Sequence, residues 1–139
     1  MARLQALIFD VDGTLADTER DGHRVAFNRA FADAGLDWDW SVALYGELLA
    51  IAGGKERIRF YLNQYRPDFE APADLDKFIA ELHGVKTKYY QQLVAEGGIP
   101  LRLGVERLLN EARQQQMRLA IATTAALPNV IALLEHTLG

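Results

Sequence analysis

The sequence predicts an α/β fold whose parallel sheet is interrupted by a long helical insert, on three observations. An apolar run over residues 4–9 ends in two carboxylates and a glycine. A second short run, residues 118–122, ends in Thr123-Thr124. Between them, residues 17–96 carry helical periodicity and no strand pattern. The order strand, helical insert, helix, strand, helix makes residues 1–16 and 97–139 one α/β core, with 17–96 as an inserted all-helical cap.

The first run reads as a buried parallel strand, and in an open α/β sheet the ligand crevice lies beyond the carboxyl ends of such strands. Asp10 and Asp12 therefore fall in an active-site position. Residues two apart on an extended chain point the same way, so both carboxylates can face one pocket. Gly13 lets the backbone turn sharply and approach a ligand with no Cβ in the way. Asp17-Thr18-Glu19 opens a helix that runs to Gly35, with acidic groups at its positive end and Val25, Phe27, Ala30, Phe31 and Ala34 on its apolar face. A second helix follows Ser41 over residues 43–51 and breaks at Gly53-Gly54. A third, residues 55–64, places Ile58, Tyr61, Leu62 and Tyr65 on one side before Arg66-Pro67 ends it. Residues 72–96 form a long helix with the stripe Leu75, Phe78, Ile79, Leu82, Val85, Tyr89 and Leu93, closed by Gly97-Gly98. An amphipathic helix over 104–115, the second strand, and a last helix with Pro128 in its first turn complete the chain. No internal repeat or low-complexity tract occurs.

The chain has 139 residues, enough for one ordinary core or two small lobes. Its 50% hydrophobic and 24% charged content is that of a soluble globular protein and argues against disorder. No apolar run approaches the ~20 residues that span a bilayer, and a signal-peptide pattern is missing, so a cytoplasmic protein is expected. The absence of cysteine excludes disulfides, thiol catalysis and thiolate metal sites. A net charge of −4 argues against nonspecific nucleic-acid binding. Nothing in the sequence fixes an oligomeric state.

Two carboxylates at this spacing suggest a division of labour. One can act as nucleophile and metal ligand, since an aspartyl-phosphate is an established use of Asp. The other can give or take a proton. A hard divalent cation, Mg2+, would neutralise the repulsion between a carboxylate nucleophile and a phosphate ester. A bare Asp-x-Asp also fits a polar turn that caps backbone amides, or the metal site of a nucleotide-sugar transferase. Thr123, with Thr124 as the neighbouring alternative, ends the second strand where its hydroxyl can donate to a phosphate oxygen; alone, such a pair also suits a turn or a helix cap.

The full Phe-Asp-Val-Asp-Gly-Thr-Leu after an apolar strand resembles the first motif of the haloacid dehalogenase superfamily of phosphatases and phosphomutases. Thr123 falls on its second motif. The resemblance implies a Rossmann-like core, here partial, with a helical cap of subclass I. In that arrangement Glu19 and His23 share a face toward the cleft, although a solvated face or helix-start electrostatics explains them as well. Gly53-Gly54-Lys55-Glu56-Arg57 resembles the cap's specificity loop, where a basic residue meets a second anionic group; a helix break followed by a charged first turn is the alternative. Leu82-His83-Gly84-Val85-Lys86-Thr87 resembles the segment holding a sugar-phosphate-contacting lysine, which falls on Lys86. Tyr45 is a further candidate, and His83 is expected to be structural. These segments together look most like the CbbY group of sugar-bisphosphate phosphatases associated with carbon fixation, whose implied substrate is xylulose 1,5-bisphosphate.

The resemblance implies that Asp10 attacks phosphorus, that Asp12 protonates the leaving oxygen and then activates water, and that Mg2+ is held by Asp10 and the backbone carbonyl of Asp12. Thr123, with amides near Asp12, Gly13 and Thr14, would steady the phosphoryl oxygens. The family's third motif, a Lys or Arg, and its fourth, an acidic metal-binding motif, do not occur, which suggests a piece of a longer protein. A β-phosphoglucomutase-like sugar mutase, and an incomplete binding module using an exposed sheet edge, are the alternatives to the phosphatase.

Overall fold

The computed structural model describes residues 2–139. Contacts divide the chain into two compact units, one running to Gly22 and again over Gln91–Gly139, the other His23–Tyr90. The limits expected from the sequence, 17 and 96, lie outside those of the second unit.

In the first unit, β1 (Ala6–Phe9) and β2 (Arg118–Ile121) pair in parallel, with Ala6 opposite Arg118 and Phe9 opposite Ile121. Helices α5 (Val105–Gln114) and α6 (Leu127–Leu138) belong to the same unit. Pro128 sits in the first turn of α6, where its missing N–H costs nothing. Phe9, Leu119 and Ile121 line a cavity of about 330 Å3 with Leu109 of α5 and Leu134 and Leu138 of α6. The opposite face of the sheet is open: Ile8 is 70% exposed. The expectation of a buried strand is thus not met. Parallel strands are buried only when both faces are covered, and two strands with helices against one face leave the alternate side chains in solvent.

The second unit contains α1 (Arg24–Asp33), α2 (Val42–Leu48), α3 (Gly54–Tyr65) and most of α4 (Leu75–Ala95). The helix expected from residue 17 opens instead with a π-helical turn, Glu19–His23, which no periodicity in the sequence announces. Ser41 caps α2 by accepting from the Leu44 N–H at 3.1 Å. Helix α4 runs through Gly84 and ends where Gly97 takes φ +72° and the Gly98 N–H donates to the Leu93 carbonyl at 2.9 Å. Its stripe is rotated from the expected one, for Lys86 and Tyr90 are buried while Val85 and Tyr89 are only half-buried. No helix among the described residues is long and apolar enough to cross a membrane.

The core of this unit is aromatic. Trp40, fully buried, meets Phe31 with centroids 4.9 Å apart at 68° and Tyr61 at 5.3 Å and 66°, the edge-to-face geometry that ring quadrupoles favour. Among the described residues the extended segment carrying Trp40 pairs with no strand, and side chains take up the Trp40 backbone groups. Asn28 of α1 accepts from the Trp40 N–H at 2.8 Å and donates to its carbonyl at 2.9 Å. Replacing Asn28 by Ala strands a part-buried N–H and weakens the hold on the carbonyl, which Arg24 also reaches at 3.2 Å. The expected loss is about 2 kcal/mol of unfolding free energy, to be read from urea denaturation followed by Trp fluorescence.

Candidate active site

The carboxyl end of β1 feeds a tight loop. Val11 is 1% exposed and faces inward, while Asp10 is exposed and Asp12 half-buried. Asp10 Oδ1 accepts from the Val11 N–H at 2.8 Å, leaving its second oxygen outward. Gly13 takes φ +77°, a left-handed conformation that an L side chain would strain, although a Cβ there would meet no atom within 4 Å. The glycine is needed for the turn and not for space. The Gly13 N–H donates to the Ala16 carbonyl at 2.8 Å and the Thr14 N–H to the Val11 carbonyl at 3.1 Å. The Gly13 and Thr14 amides, among those expected to meet phosphate, are therefore engaged within the loop. Because Gly13 N–H points to Ala16, the Asp12 carbonyl of the same trans peptide points to the other side.

Two residues the sequence did not single out complete the loop. Thr18, fully buried, donates its hydroxyl to Asp12 Oδ1. Arg102 donates to the Gly13 carbonyl at 2.6 Å, and its own N–H donates to the Leu15 carbonyl at 2.8 Å. Thr18 reads in the sequence only as part of the helix entry Asp17-Thr18-Glu19, and Arg102 lies in no segment that the sequence marks. Glu19 opens the π-helical turn, and its carboxylate lies within 4.8 Å of that of Asp12, an all-oxygen pair of the kind hard cations take.

The pairing of β1 with β2 carries the second motif to the same sheet edge. The Ala122 N–H donates to the Phe9 carbonyl at 2.8 Å, so Asp10 and Thr123 each lie just beyond the last pair of the ladder. Thr123 Oγ1 accepts from the Ala125 N–H at 3.0 Å, which leaves its hydroxyl proton to donate elsewhere. Thr124 is exposed in the same turn.

The remaining candidates lie in the second unit, where the structure sorts them. His23 stacks on Tyr90 with centroids 4.1 Å apart and planes within 1°. Lys86, only 6% exposed, brings its ammonium 2.8 Å from His23 Nδ1 and over the rings of Phe27 (4.8 Å) and Tyr90 (5.5 Å). An ammonium only donates, so Nδ1 accepts and the ring proton sits on Nε2. Tyr45, expected as a substrate candidate of the cap, is 2% exposed and packed in the aromatic core, which corrects that expectation. Arg57 is turned to structure as well. It donates to the Leu48 carbonyl at 3.1 Å and the Ile51 carbonyl at 2.9 Å, closing the end of α2, with its guanidinium 5.5 Å from the Tyr45 ring centroid. Lys55 remains exposed at the start of α3. Gly53 caps this helix with φ +91°, and a Cβ on Gly54 would lie 2.4 Å from His83 Nε2. His83 packs against Gly54, and burial first, then the charges of Lys86 and Lys55, lowers its pKa from the ordinary 6.5.

A family model described as haloacid dehalogenase-like hydrolase matches residues 4–139. The chain belongs to the haloacid dehalogenase-like hydrolases. It is 49% identical over 136 residues to the plasmid protein CbbY of Cupriavidus necator, covering 98% of this chain and 53% of that protein. With CbbY of Cereibacter sphaeroides it shares 48% over 136 residues, 98% of this chain and 56% of the relative. A crystal structure of mutant CbbY from Rhodobacter sphaeroides in complex with xylulose-(1,5)bisphosphate superposes with a TM-score of 0.81 at 47% identity, over 99% of this chain and 58% of that one. The chain thus spans about half the length of the relatives it matches, and its two-stranded parallel sheet with helices is a partial Rossmann-like core of this hydrolase family.

Two outcomes follow from the geometry. Thr18→Val removes the buried donor to Asp12 at nearly constant volume and should cost about 1–2 kcal/mol, measured by urea denaturation. His83 binds a proton less readily folded than unfolded, so its contribution makes stability fall as pH drops through 6.5 toward its folded midpoint. His83→Gln should flatten that part of a stability-against-pH curve.

Proposed function

We propose that this chain carries the nucleophile and cap segments of a Mg2+-dependent phosphatase of small sugar phosphates, with xylulose 1,5-bisphosphate as the favoured substrate. The observation that carries the reading is the parallel register that sets Asp10 and Thr123 at one carboxyl edge, beside a loop built around Gly13. The xylulose bisphosphate named for the Rhodobacter CbbY structure supports the choice of sugar.

In this reading the outward oxygen of Asp10 attacks phosphorus in line and the sugar oxygen leaves, giving an aspartyl-phosphate. Asp12 supplies the proton to that leaving oxygen and later takes one from water, which hydrolyses the acyl-phosphate and restores Asp10. Thr18 holds the Asp12 carboxylate in place through its buried hydroxyl. The Thr123 hydroxyl, with its proton free to donate, steadies a phosphoryl oxygen, and Thr124 lies beside it. The other oxygen of the Asp10 carboxylate and the Asp12 backbone carbonyl would hold Mg2+, with Glu19 adding negative charge nearby; the ion would supply charge neutralisation between the two anions. In the cap, Lys55 and the Gly53-Gly54 turn offer positive charge and backbone to a second phosphate, and His23 is held by Lys86 and Tyr90. Lys86 thereby acts through His23 and not as a surface contact. Soluble sugar phosphates as substrates fit a cytoplasmic protein.

The test is Mg2+-dependent phosphate release from a panel of sugar mono- and bisphosphates, with this chain and with longer forms that include it. Release from xylulose 1,5-bisphosphate, lost by at least a thousandfold in Asp10→Asn with folding retained, is the expected result. Isomerisation of a sugar phosphate without net phosphate release would replace the phosphatase with a mutase. No turnover in any form would leave a binding module.

A further inference from the structure

Arg102 is the residue whose contacts the proposed chemistry does not use. It lies far from the first motif in sequence, yet its guanidinium donates to the Gly13 carbonyl at 2.6 Å, its backbone N–H donates to the Leu15 carbonyl at 2.8 Å, and Leu101 bridges Ala16. Its Nε also faces Asp17 Oδ1 at 3.9 Å. Three successive stretches of the loop that begins at Asp10 are thus pinned by one short segment.

The Gly13–Thr14 peptide is the part most constrained. Its N–H points to the Val11 carbonyl at 3.1 Å and its C=O to Arg102, so the peptide plane is fixed from both sides. Gly13 is also the residue with the widest choice of backbone conformation, and nothing packs where a Cβ would stand. Without an external contact this turn would rest on its own short-range hydrogen bonds. A charged donor is worth more to a carbonyl than a neutral one, and the Nε of the same guanidinium lies in ion-pair range of Asp17.

We propose that Arg102 is a positioning residue for the nucleophile loop: by holding the Gly13 carbonyl it fixes the turn that aims Asp12 and Thr14, without touching substrate itself. The catalytic part of this inference rests on the phosphatase reading, and the structural part does not. Loss of the contact frees the Gly13–Thr14 peptide to rotate, which shifts the Asp12 carbonyl and carboxylate relative to Asp10. Chemistry suffers more than binding, because both acid/base transfer and in-line attack depend on that alignment.

Amide hydrogen exchange of the 139-residue chain decides the structural part with no need for turnover. In Arg102→Ala the Gly13, Thr14 and Leu15 amides should exchange about tenfold faster, while the Arg118 and Ala122 amides that pair β1 with β2 keep their rates. Arg102→Lys retains one donor and should recover most of the protection. Unchanged exchange at the three amides in Arg102→Ala, or no recovery in Arg102→Lys, overturns the proposal. Where turnover is measured, Arg102→Ala should lower kcat about tenfold with KM within about twofold, and added guanidinium should restore part of it. A loss confined to KM would show that Arg102 binds substrate and overturn the positioning role. Absence of turnover in the unsubstituted protein would count against the phosphatase reading alone, and the exchange rates would still decide this one.

Discussion

The parallel pairing of β1 with β2 is the constraint on which the candidate site depends. Parallel strands cannot be joined by a tight turn, and here the connection between them contains the whole helical unit and α5. The ladder is short, bounded by the Arg118 N–H to the Gln5 carbonyl at 3.0 Å and the Ala122 N–H to the Phe9 carbonyl at 2.8 Å. Each strand has one neighbour, and one sheet face is open. The helices of the second unit have an aromatic core of their own, whereas the strands hold Asp10 and Thr123 on a thin support. Closing so long a connection costs entropy that grows only slowly with its length, so the insertion of an entire cap between the strands is tolerated.

The two units solve the problem of buried polar groups differently. In the loop after β1, the Gly13 and Thr14 amides are paired within the turn and the Gly13 carbonyl with Arg102, and the buried Thr18 hydroxyl goes to a carboxylate. In the helical unit a whole ammonium is taken in. Burying Lys86 without partners would be costly, and His23 together with the faces of Phe27 and Tyr90 offsets the loss of water. The same arrangement fixes the ring plane and tautomer of His23. A catalytic or binding role for that imidazole would begin from a group already oriented.

What the sequence revealed was local. The apolar run before Asp10, the Ser41 cap and the glycines after α4 are short-range signals at which the structure places an element boundary, and Gly13 turns the loop beyond β1. The helical stripes were legible to within a rotation: Ile79 and Leu82 are buried as expected, while the later part of α4 turns Lys86 and Tyr90 inward because the partners waiting there are His23 and Phe27. Sequence spacing carries no trace of a partner sixty residues away. The same holds for Arg57, whose charge is drawn to carbonyls at the end of α2, and for Tyr45, a substrate candidate in the sequence that is packed into the core. Strand burial failed for a different reason. It depends on what covers the sheet, and an apolar run is the same string whether its face is covered or not.

The contact between Gly54 and His83 has a consequence for how this protein can change. A methyl group at position 54 would stand 2.4 Å from the imidazole, so the two positions share one volume. Neither can be enlarged alone. A lineage that acquires a side chain at 54 must first, or at once, give up the ring at 83, and the order of those steps is dictated by sterics. The start of α3, with Lys55 at its tip, is thereby locked to a residue on α4, and drift in the loop is slowed by a partner far along the chain.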